Sequence, residues 1–304
     1  MEYSDRIWDA EDCARILAEL SPRIGNHAWA VALSRFAEPR EGGFQKWIES
    51  LLKRAFNRSK PLFKFQDDGL TFVGDRRDRY SRWISGSPGH EAALANRILA
   101  EIRGEGAYID VGANMGVLAG FIARSHGGPV VAVEPDRDTA QRAAAGFALN
   151  GQSHVKVVNA AAGEEVGEGT FFVPQGRSDA SSLHGDIVDP EAIPVKVPLV
   201  SIDDLVRTLN LDRVAFVKVD VEGHEPAVIR GALDTIRRCR PAILFEYHWD
   251  IAPKLGWQAD EVCCLIESAG EYHFEVLGHG DQMYPFPPSR EMGLVVNVLA
   301  MSAQ

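Results

Sequence analysis

Tyr108-Ile109-Asp110-Val111-Gly112-Ala113-Asn114-Met115-Gly116 is the stretch that decides the fold. It begins with β-branched and aromatic residues, which are typical of a buried strand, and passes into a loop that carries two glycines. The segment Met115 to Ser125 follows with apolar residues at helical spacing. Strand, glycine loop and helix in this order open a nucleotide-binding βαβ unit, in which glycine lets the backbone approach the ligand. The next strand, Pro129 to Val133, ends at Glu134, about twenty residues past the loop, where a carboxylate accepts hydrogen bonds from both ribose hydroxyls of an adenosine.

The spacing of this loop distinguishes between adenosine cofactors. A dinucleotide fingerprint reads G-x-G-x-x-G and seats a pyrophosphate on the helix N-terminus. This loop reads D-x-G-x-x-x-G, because Asp110 stands where the first glycine would be. A carboxylate repels a pyrophosphate but attracts the ammonium and sulfonium groups of S-adenosylmethionine. We therefore predict that Asp110, Gly112, Ala113, Asn114 and Gly116 bind S-adenosylmethionine.

Composition and charge limit the classes of protein to which the chain can belong. With 304 residues, of which 45% are hydrophobic, it can bury one substantial core and carry an appendage. The net charge of -11 argues against a nucleic-acid partner, because a phosphate-binding surface needs a basic excess. The four cysteines show neither metal-ligand nor disulfide spacing, which fits a reducing cytoplasm. No apolar run approaches about twenty residues, so we expect a soluble cytoplasmic protein without a transmembrane segment.

Residues 1–86 are predicted to form a mainly helical extension in front of a cofactor-binding domain that spans 87–304. Apolar residues recur at helical spacing from Ala10 to Leu20 and again from Phe44 to Phe56. Leu62 to Val73 is typical of a short hairpin. Because the extension lies outside the nucleotide-binding pattern, we expect it to bind the acceptor substrate or to join two copies into a homo-oligomer.

Past Glu134, strands alternate with helices, and this alternation predicts a parallel sheet with helices on both faces. Two strands, Phe274 to Leu277 and Gly293 to Met301, end the chain without a helix between them, so we expect them to be antiparallel. The prediction is an α/β fold with a mostly parallel, Rossmann-like sheet of seven strands whose last strand is antiparallel. This is the arrangement of class I methyltransferases. The other predicted strands past Glu134 are Val155 to Val158, Ala215 to Val219 and Ala242 to Phe245.

Ligands of such sheets bind beyond the carboxyl ends of the strands, near the topological switch point. Asp110 and Glu134 end the first two strands, and Pro135 follows as part of the same cofactor-binding turn. The third strand ends at Asn159 and Ala160, where a side-chain amide or backbone groups can bind the edge of the adenine.

Ionisable residues collect where the fourth and fifth strands end. The fourth is followed by Asp220-Val221-Glu222-Gly223-His224-Glu225, and the fifth by Glu246-Tyr247-His248. Such groups are costly to desolvate at the tips of buried strands, which makes them candidates for function. Asp220 is counted with both the cofactor-binding and the catalytic residues.

The segment from about Glu101 to Trp249 resembles the FkbM family of S-adenosylmethionine-dependent methyltransferases. The resemblance implies methylation of hydroxyl oxygens, often on sugars, glycolipids or polyketide products. One departure is His224, which stands where the family commonly has a small residue. Six blocks carry the resemblance: 109–116 (IDVGANMG), 133–136 (VEPD), 180–183 (ASSL), 201–205 (SIDDL), 217–225 (VKVDVEGHE) and 240–246 (RPAILFE).

The catalytic residues are expected among Asp220, Glu246, His248 and His224. We place Asp220 near the transferred methyl group, and His248 or Glu246 as the base that takes the proton of the hydroxyl, with His224 next in order. Asp220, Glu222 and Glu246 could instead hold a divalent cation, but their spacing fixes no metal geometry and no metal is predicted.

Three functions remain open at this stage. The first is an S-adenosylmethionine-dependent O-methyltransferase that acts on a hydroxyl of a carbohydrate, glycolipid or secondary metabolite. The second is an NAD-linked oxidoreductase, which the missing pyrophosphate glycine disfavours. The third is a cofactor-binding scaffold without catalysis.

Overall fold

The computed structural model describes residues 3–25, 61–258, 260–278, 282–288 and 295–303. The strands in these ranges are β1 (Ile7–Trp8), β2 (Ile24–Gly25), β3 (Leu62–Asp67), β4 (Leu70–Asp75), β5 (Ala107–Val111), β6 (Val130–Val133), β7 (Val155–Val158), β8 (Ala161–Ala162), β9 (Gly167–Val173), β10 (Ile193–Val200), β11 (Val214–Val219), β12 (Ala242–His248), β13 (Tyr272–Leu277), β14 (Met283–Pro285) and β15 (Val295–Ser302). The α-helices are α1 (Ala10–Leu20), α2 (Arg79–Ser85), α3 (His90–Glu101), α4 (Val117–Ser125), α5 (Arg137–Leu149), α6 (Ile202–Thr208), α7 (Glu225–Arg230), α8 (Leu233–Cys239) and α9 (Glu261–Ala269).

One large sheet organises the described residues, with its strands in the order β1-β7-β6-β5-β11-β12-β15-β13-β14. Strands β7, β6, β5, β11 and β12 are mutually parallel, and β15 runs antiparallel to both β12 and β13. This confirms the mostly parallel class I arrangement with its reversed last strand. The sheet has nine strands rather than the seven expected, because β1 and β14 pair with its two edges. β1 is too short to show an alternating pattern, and β14 ends in a proline, a residue confined to sheet edges.

The central strands are apolar because helices cover both faces of the sheet. All five residues of β5, all four of β6 and all six of β11 are buried. Helices α3, α4 and α5 contribute to the hydrophobic cluster on one face, and α6 to α9 contribute to the cluster on the other. Strands buried on both faces in this way are expected of parallel sheets.

The described part of residues 1–86 packs into the same core as the helices that follow the glycine loop. Helix α1 has the predicted bounds, and the predicted hairpin forms as β3 and β4. Phe72 of this hairpin packs against Phe121 of α4, with ring centroids 5.6 Å apart. The helix predicted from Phe44 to Phe56 lies outside the described residues, and the domain boundary at residue 86 stays a prediction.

Short-range caps begin the helices that follow the strands. The Asp136 carboxylate accepts from the backbone N–H of Thr139 and begins α5, and the Ser201 hydroxyl accepts from Asp204 and begins α6. No helix in the described part of the chain combines the length and the apolar character that a membrane crossing requires.

Candidate active site

The carboxyl ends of the parallel strands surround a cavity of about 280 Å³. It is walled by the ends of β5, β6, β11 and β12, by the loop after β7, and by residues from α2 and α3. The predicted site residues Gly116, Asn159 and His248 do not line it. Those that line it are Asp110, Gly112, Ala113, Asn114, Glu134, Pro135, Ala160, Asp220, His224 and Glu246.

Two glycines of the loop are required by close contacts. Gly112 has φ +81°, and a Cβ at this position would overlap the carbonyl oxygen of Asp220. Gly116 has φ +75°, and a Cβ there would lie 2.6 Å from the ring of Phe147 in α5. Gly112 therefore lets the glycine loop lie against the residue that follows β11, whereas Gly116 lets α4 pack against α5.

The backbone N–H groups of the loop are already used within the protein. A pyrophosphate on a glycine loop is bound by such N–H groups, and residues 112–116 have none to spare for it. The geometry thus agrees with the charge of Asp110 in disfavouring NAD. The donations are from Gly112 and Ala113 to the Val133 carbonyl (3.0 Å each), Asn114 to Glu134 Oε2 (2.9 Å), Met115 to Asn114 Oδ1 (2.8 Å) and Gly116 to the Ala113 carbonyl (2.9 Å).

Asp110 is a buried carboxylate whose hydrogen-bonding capacity is unused. Its exposed fraction is 0%, and neither oxygen accepts a hydrogen bond from the described residues. Burial raises the pKa of Asp110 to about 6; the nearby Lys218 ammonium opposes this shift and Asp220 adds to it. A buried carboxylate without donors is unfavourable, so a cationic ligand in the cavity would stabilise it. This is the environment expected for the ammonium group of S-adenosylmethionine.

Glu134 is held in place by two backbone donors. Its Oε2 accepts from Asn114 and its Oε1 from Asp136, both at 2.9 Å. Burial, assisted by the charge of Asp136, raises the pKa of Glu134 to about 8, although the two N–H donors act in the opposite direction. Each carboxylate oxygen has two acceptor positions, so both retain one for the hydroxyls of a ribose.

Asn159 supports this loop rather than the cavity. Its side-chain amide donates to the carbonyl oxygens of Glu134 (3.0 Å) and Pro135 (2.9 Å), and Arg6 donates to its Oδ1 (3.4 Å). The amide is therefore already bonded where the sequence suggested that it could bind adenine, and Ala160 lines the cavity instead.

Lys218 is a site residue that sequence reasoning missed. It lies in β11, directly across from Asp110 of β5, and its Nζ is 2.8 Å from Asp220 Oδ2. Burial disfavours the ammonium, but Asp220 and Asp110 together raise the pKa of Lys218 above its ordinary value. The signal in the sequence is a single charged residue within the otherwise apolar strand VAFVKV.

His248 lies between two carboxyl groups behind the cavity wall. Its Nε2 is 3.1 Å from Glu246 Oε2 and 3.9 Å from Glu222 Oε2. Burial disfavours its charge, but the hydrogen bond with Glu246 and the charge of Glu222 raise the pKa of His248 to about 9. Burial, with Asp220 adding, raises the pKa of Glu222 to about 8 against the effect of His248, and burial likewise raises that of Glu246. The three side chains form one cluster of titratable groups in which the charge of each shifts the pKa of the others.

His224 is engaged by a second histidine. Its Nδ1 lies 3.0 Å from Nε2 of His184, which belongs to the irregular segment after β9. Burial, together with His184, lowers the pKa of His224 to about 4, so its ring is neutral at neutral pH. The same segment contacts the turn after β11 a second time, because the Ser182 hydroxyl donates to the carbonyl of Glu222 at 2.8 Å.

Aromatic residues of α2 and α3 form one side of the cavity. Trp83 is 45% exposed, and its ring centroid lies 5.7 Å from that of Tyr80 and 4.8 Å from that of His90. The Tyr80 hydroxyl donates to Glu91 Oε1 at 3.1 Å. These residues were not among the predicted site residues, because nothing in their spacing links α2 to the strand ends.

The cavity is strongly acidic. Lys218 is the one lysine or arginine among the described residues that line it, and seven carboxyl groups accompany it. No group of three or more His, Cys, Asp or Glu in the described ranges is arranged to hold a metal ion. The seven carboxyl groups belong to Glu91, Asp110, Glu134, Asp179, Asp220, Glu222 and Glu246.

Solved structures offer only distant similarities. The chain is similar to a methyltransferase FkbM from Methylobacillus flagellatus KT, with 21% identity, a TM-score of 0.41 and coverage of 66% of this chain and 45% of that one. A tRNA (uracil-54, C5)-methyltransferase from Pyrococcus abyssi, in complex with S-adenosyl-L-homocysteine, is 12% identical, with a TM-score of 0.41. The match covers 81% of this chain and 45% of that one. A SAM-dependent methyltransferase from Aquifex aeolicus is 15% identical, with a TM-score of 0.40, and the match covers 71% of this chain and 93% of that one. The chain thus spans less than half the length of the first two proteins.

The family itself is shown by sequence. No curated protein matches the chain. A family model described as the methyltransferase FkbM domain matches residues 110–272, which is more than half of the chain and begins at Asp110. The matched range includes the glycine loop, Glu134, Lys218 and the Glu222–His248 cluster. The chain belongs to the FkbM family of S-adenosylmethionine-dependent methyltransferases.

Proposed function

We propose that the protein transfers a methyl group from S-adenosylmethionine to a hydroxyl oxygen of a carbohydrate, glycolipid or secondary metabolite. The observation that carries the proposal is that one cavity combines two kinds of group. Asp110 and Glu134 suit the cofactor, and the carboxyl groups of Glu222 and Glu246 suit the removal of a proton.

The residues at the ends of β5 and β6 fit the cofactor. Asp110, with both oxygens unsatisfied, would hold the ammonium group, and Glu134 would bind the ribose hydroxyls. When bound, S-adenosylmethionine supplies an electrophilic methyl group on a sulfonium, which an oxygen nucleophile can attack. Holding the two reactants in line contributes up to roughly 7–11 kcal/mol to catalysis.

An alcohol must also lose its proton, for which a positioned base contributes about 10²- to 10⁴-fold. Glu246 lines the cavity, and burial raises the pKa of its carboxyl group, which makes it a stronger base than an exposed glutamate. The pKa of His248 is raised to about 9, so its ring is protonated at neutral pH and cannot serve as the base there. We therefore assign the base to Glu246 and a positioning role to His248, with Glu222 sharing the proton and Asp220 next to the methyl group.

The charge of the cavity supports a neutral or cationic acceptor. With seven carboxyl groups and a single lysine among its described lining residues, the cavity offers a phosphate or a uronic acid little to bind, which also argues against a nucleic acid as the acceptor. The exposed ring of Trp83 offers an apolar face against which the C–H groups of a sugar ring can pack. Both features favour a hydroxylated ring without acidic groups.

A labelling experiment tests the proposed function. The purified protein is incubated with S-adenosylmethionine that carries a deuterated methyl group, together with a fractionated metabolite extract and a panel of methyl glycosides. We expect label in a product that survives mild alkali, as a methyl ether does and a methyl ester does not. Label found only in amines, esters or nucleic acid would contradict O-methylation. The E246Q variant serves as the control, since it should bind the cofactor but not transfer the label.

A further inference from the structure

Opposite charges stand side by side on the two central strands of the sheet. The register between β5 and β11 pairs Asp110 with Lys218, so both side chains project on the same face. The Lys218 Nζ lies 3.8 Å from Asp110 Oδ1. The methionine part of the cofactor carries an ammonium and a carboxylate on one carbon atom, so a site that binds both charges needs neighbouring groups of opposite sign. We propose that Lys218 binds the cofactor carboxylate while Asp110 binds the ammonium, an inference that rests on cofactor binding in this cavity.

The ammonium of Lys218 has donors to spare. An ammonium group has three N–H donors, and Lys218 gives one to Asp220 Oδ2 at 2.8 Å. The distance to Asp110 is too long for a hydrogen bond, and no other acceptor for Lys218 occurs in the described part of the chain. Since Lys218 lines the cavity and is only 7% exposed, a ligand oxygen there would satisfy donors that the fold leaves unused.

Other groups in the cavity are poorly suited to a carboxylate. The N–H groups of residues 112–116 already donate to protein oxygens. Apart from Lys218, the described lining residues include no lysine or arginine that could pair with a carboxylate. Among the described lining residues, two neutral donors compete with Lys218. They are the Ser181 hydroxyl, which has no hydrogen-bond partner there, and the first turn of α4, to which Leu118 belongs. A role for Lys218 limited to neutralising Asp110 and Asp220 is the other alternative.

Three ligands separate these possibilities by calorimetry on the full chain. They are S-adenosylhomocysteine, its decarboxylated analogue, which keeps the ammonium, and methylthioadenosine, which lacks both charges. In K218M we expect the affinity for S-adenosylhomocysteine to fall about 10- to 100-fold, as for loss of a charged hydrogen bond. Affinities for the other two ligands should change less than about threefold. K218R should restore most of the affinity lost in K218M. D110N should lower the affinity for both ligands that carry the ammonium and leave the affinity for methylthioadenosine unchanged.

Each other outcome overturns the proposal in a recognisable way. An equal loss for all three ligands in K218M would mean that Lys218 only maintains the site. Unchanged affinity for S-adenosylhomocysteine would refute the role of Lys218 and leave the carboxylate to the start of α4 or to Ser181. The wild-type protein provides a test that does not depend on the folding of a variant, since equal affinities for S-adenosylhomocysteine and its decarboxylated analogue would refute the proposal. Failure of all three ligands to bind the wild type would instead remove the cofactor assignment.

Discussion

The carbonyl oxygen of Asp220 lies against the α-carbon of Gly112, so closely that a β-carbon at position 112 would overlap it. The contact is reinforced by the backbone N–H of Asp220, which donates to the Val111 carbonyl at 3.0 Å. The glycine loop after β5 and the acidic turn after β11 are therefore in direct contact. A change in one of them displaces the other.

Gly112→Ala should lower the free energy of unfolding by at least about 2 kcal/mol, because positive φ and a backbone overlap both oppose the new side chain. Gly151→Ala is a matched control. Gly151 also has a positive φ, +66°, but no atom lies within 4 Å of its added Cβ, so about 1 kcal/mol is expected. Urea denaturation measures both variants, and equal losses would show that the contact with Asp220 does not limit stability.

Asp110→Ala and Glu134→Ala should each abolish the thermal stabilisation given by S-adenosylhomocysteine. A ligand at roughly 100 times its dissociation constant stabilises the folded state by about 2.7 kcal/mol, which a melting experiment detects easily. NAD should produce no shift in the wild-type protein. A full shift with S-adenosylhomocysteine in either variant would exclude the mutated residue from the site.

The affinity for S-adenosylhomocysteine should depend on pH through Asp110. Its pKa is raised to about 6, so the carboxylate that attracts the ammonium becomes neutral as the pH falls through that value. The dissociation constant should therefore rise about tenfold per unit below pH 6, and this component should be flat above it. Titration calorimetry of the wild type and D110N separates this component, which should be missing in the variant. The same slope in both proteins would assign the effect to another group.

Turnover should rise with pH as Glu246 loses its proton, and burial places this rise above the ordinary pKa of a glutamate. Glu246→Gln should reduce kcat about 10²- to 10⁴-fold with little change in cofactor affinity. In His248→Gln the cationic neighbour is lost, so the carboxyl pKa rises and the midpoint of the pH–rate profile moves to higher pH. If this variant were instead to lose the ionisation altogether, the histidine itself would be the base.

Trp83→Ala should weaken acceptor binding without weakening cofactor binding. The ring is 45% exposed, so its removal should change the free energy of unfolding by less than about 1 kcal/mol. We expect KM for the acceptor to rise at least about tenfold, with the affinity for S-adenosylhomocysteine unchanged. Ile193→Ala, which removes a similarly exposed apolar side chain outside the cavity lining, is the control. An unchanged KM would show that the acceptor does not contact the tryptophan.

Patterns within single segments predicted much of this fold. Asp110, Glu134 and Asp220 could be placed together because each ends a buried parallel strand, and such ends meet at one edge of a sheet. The edge strand Ile7–Trp8 could not be predicted, since two residues show no period and its pairing with Val157 and Val158 is set by tertiary packing.

Relationships between segments determined what the sequence could not show. Lys218 becomes a site residue only through its register with Asp110, which no local pattern encodes. His248 was predicted among the ionisable residues at the strand ends, but its charge depends on the hydrogen bond with Glu246 and on Glu222 from the turn after β11. Trp83 reaches the cavity because α2 packs beside the strand ends, and helical spacing cannot reveal that placement.

The hydrogen bonds between Arg6 and Asn159 link the beginning of the chain to the turn that carries Glu134. The backbone N–H of Asn159 donates to the Arg6 carbonyl at 2.9 Å, and the two side chains meet although 153 positions separate them. Deleting residues 1–8 would remove the edge strand β1 and the Arg6 contacts that hold Asn159 against the Glu134 turn. Variants that lack these residues should therefore bind S-adenosylhomocysteine more weakly than the 304-residue chain.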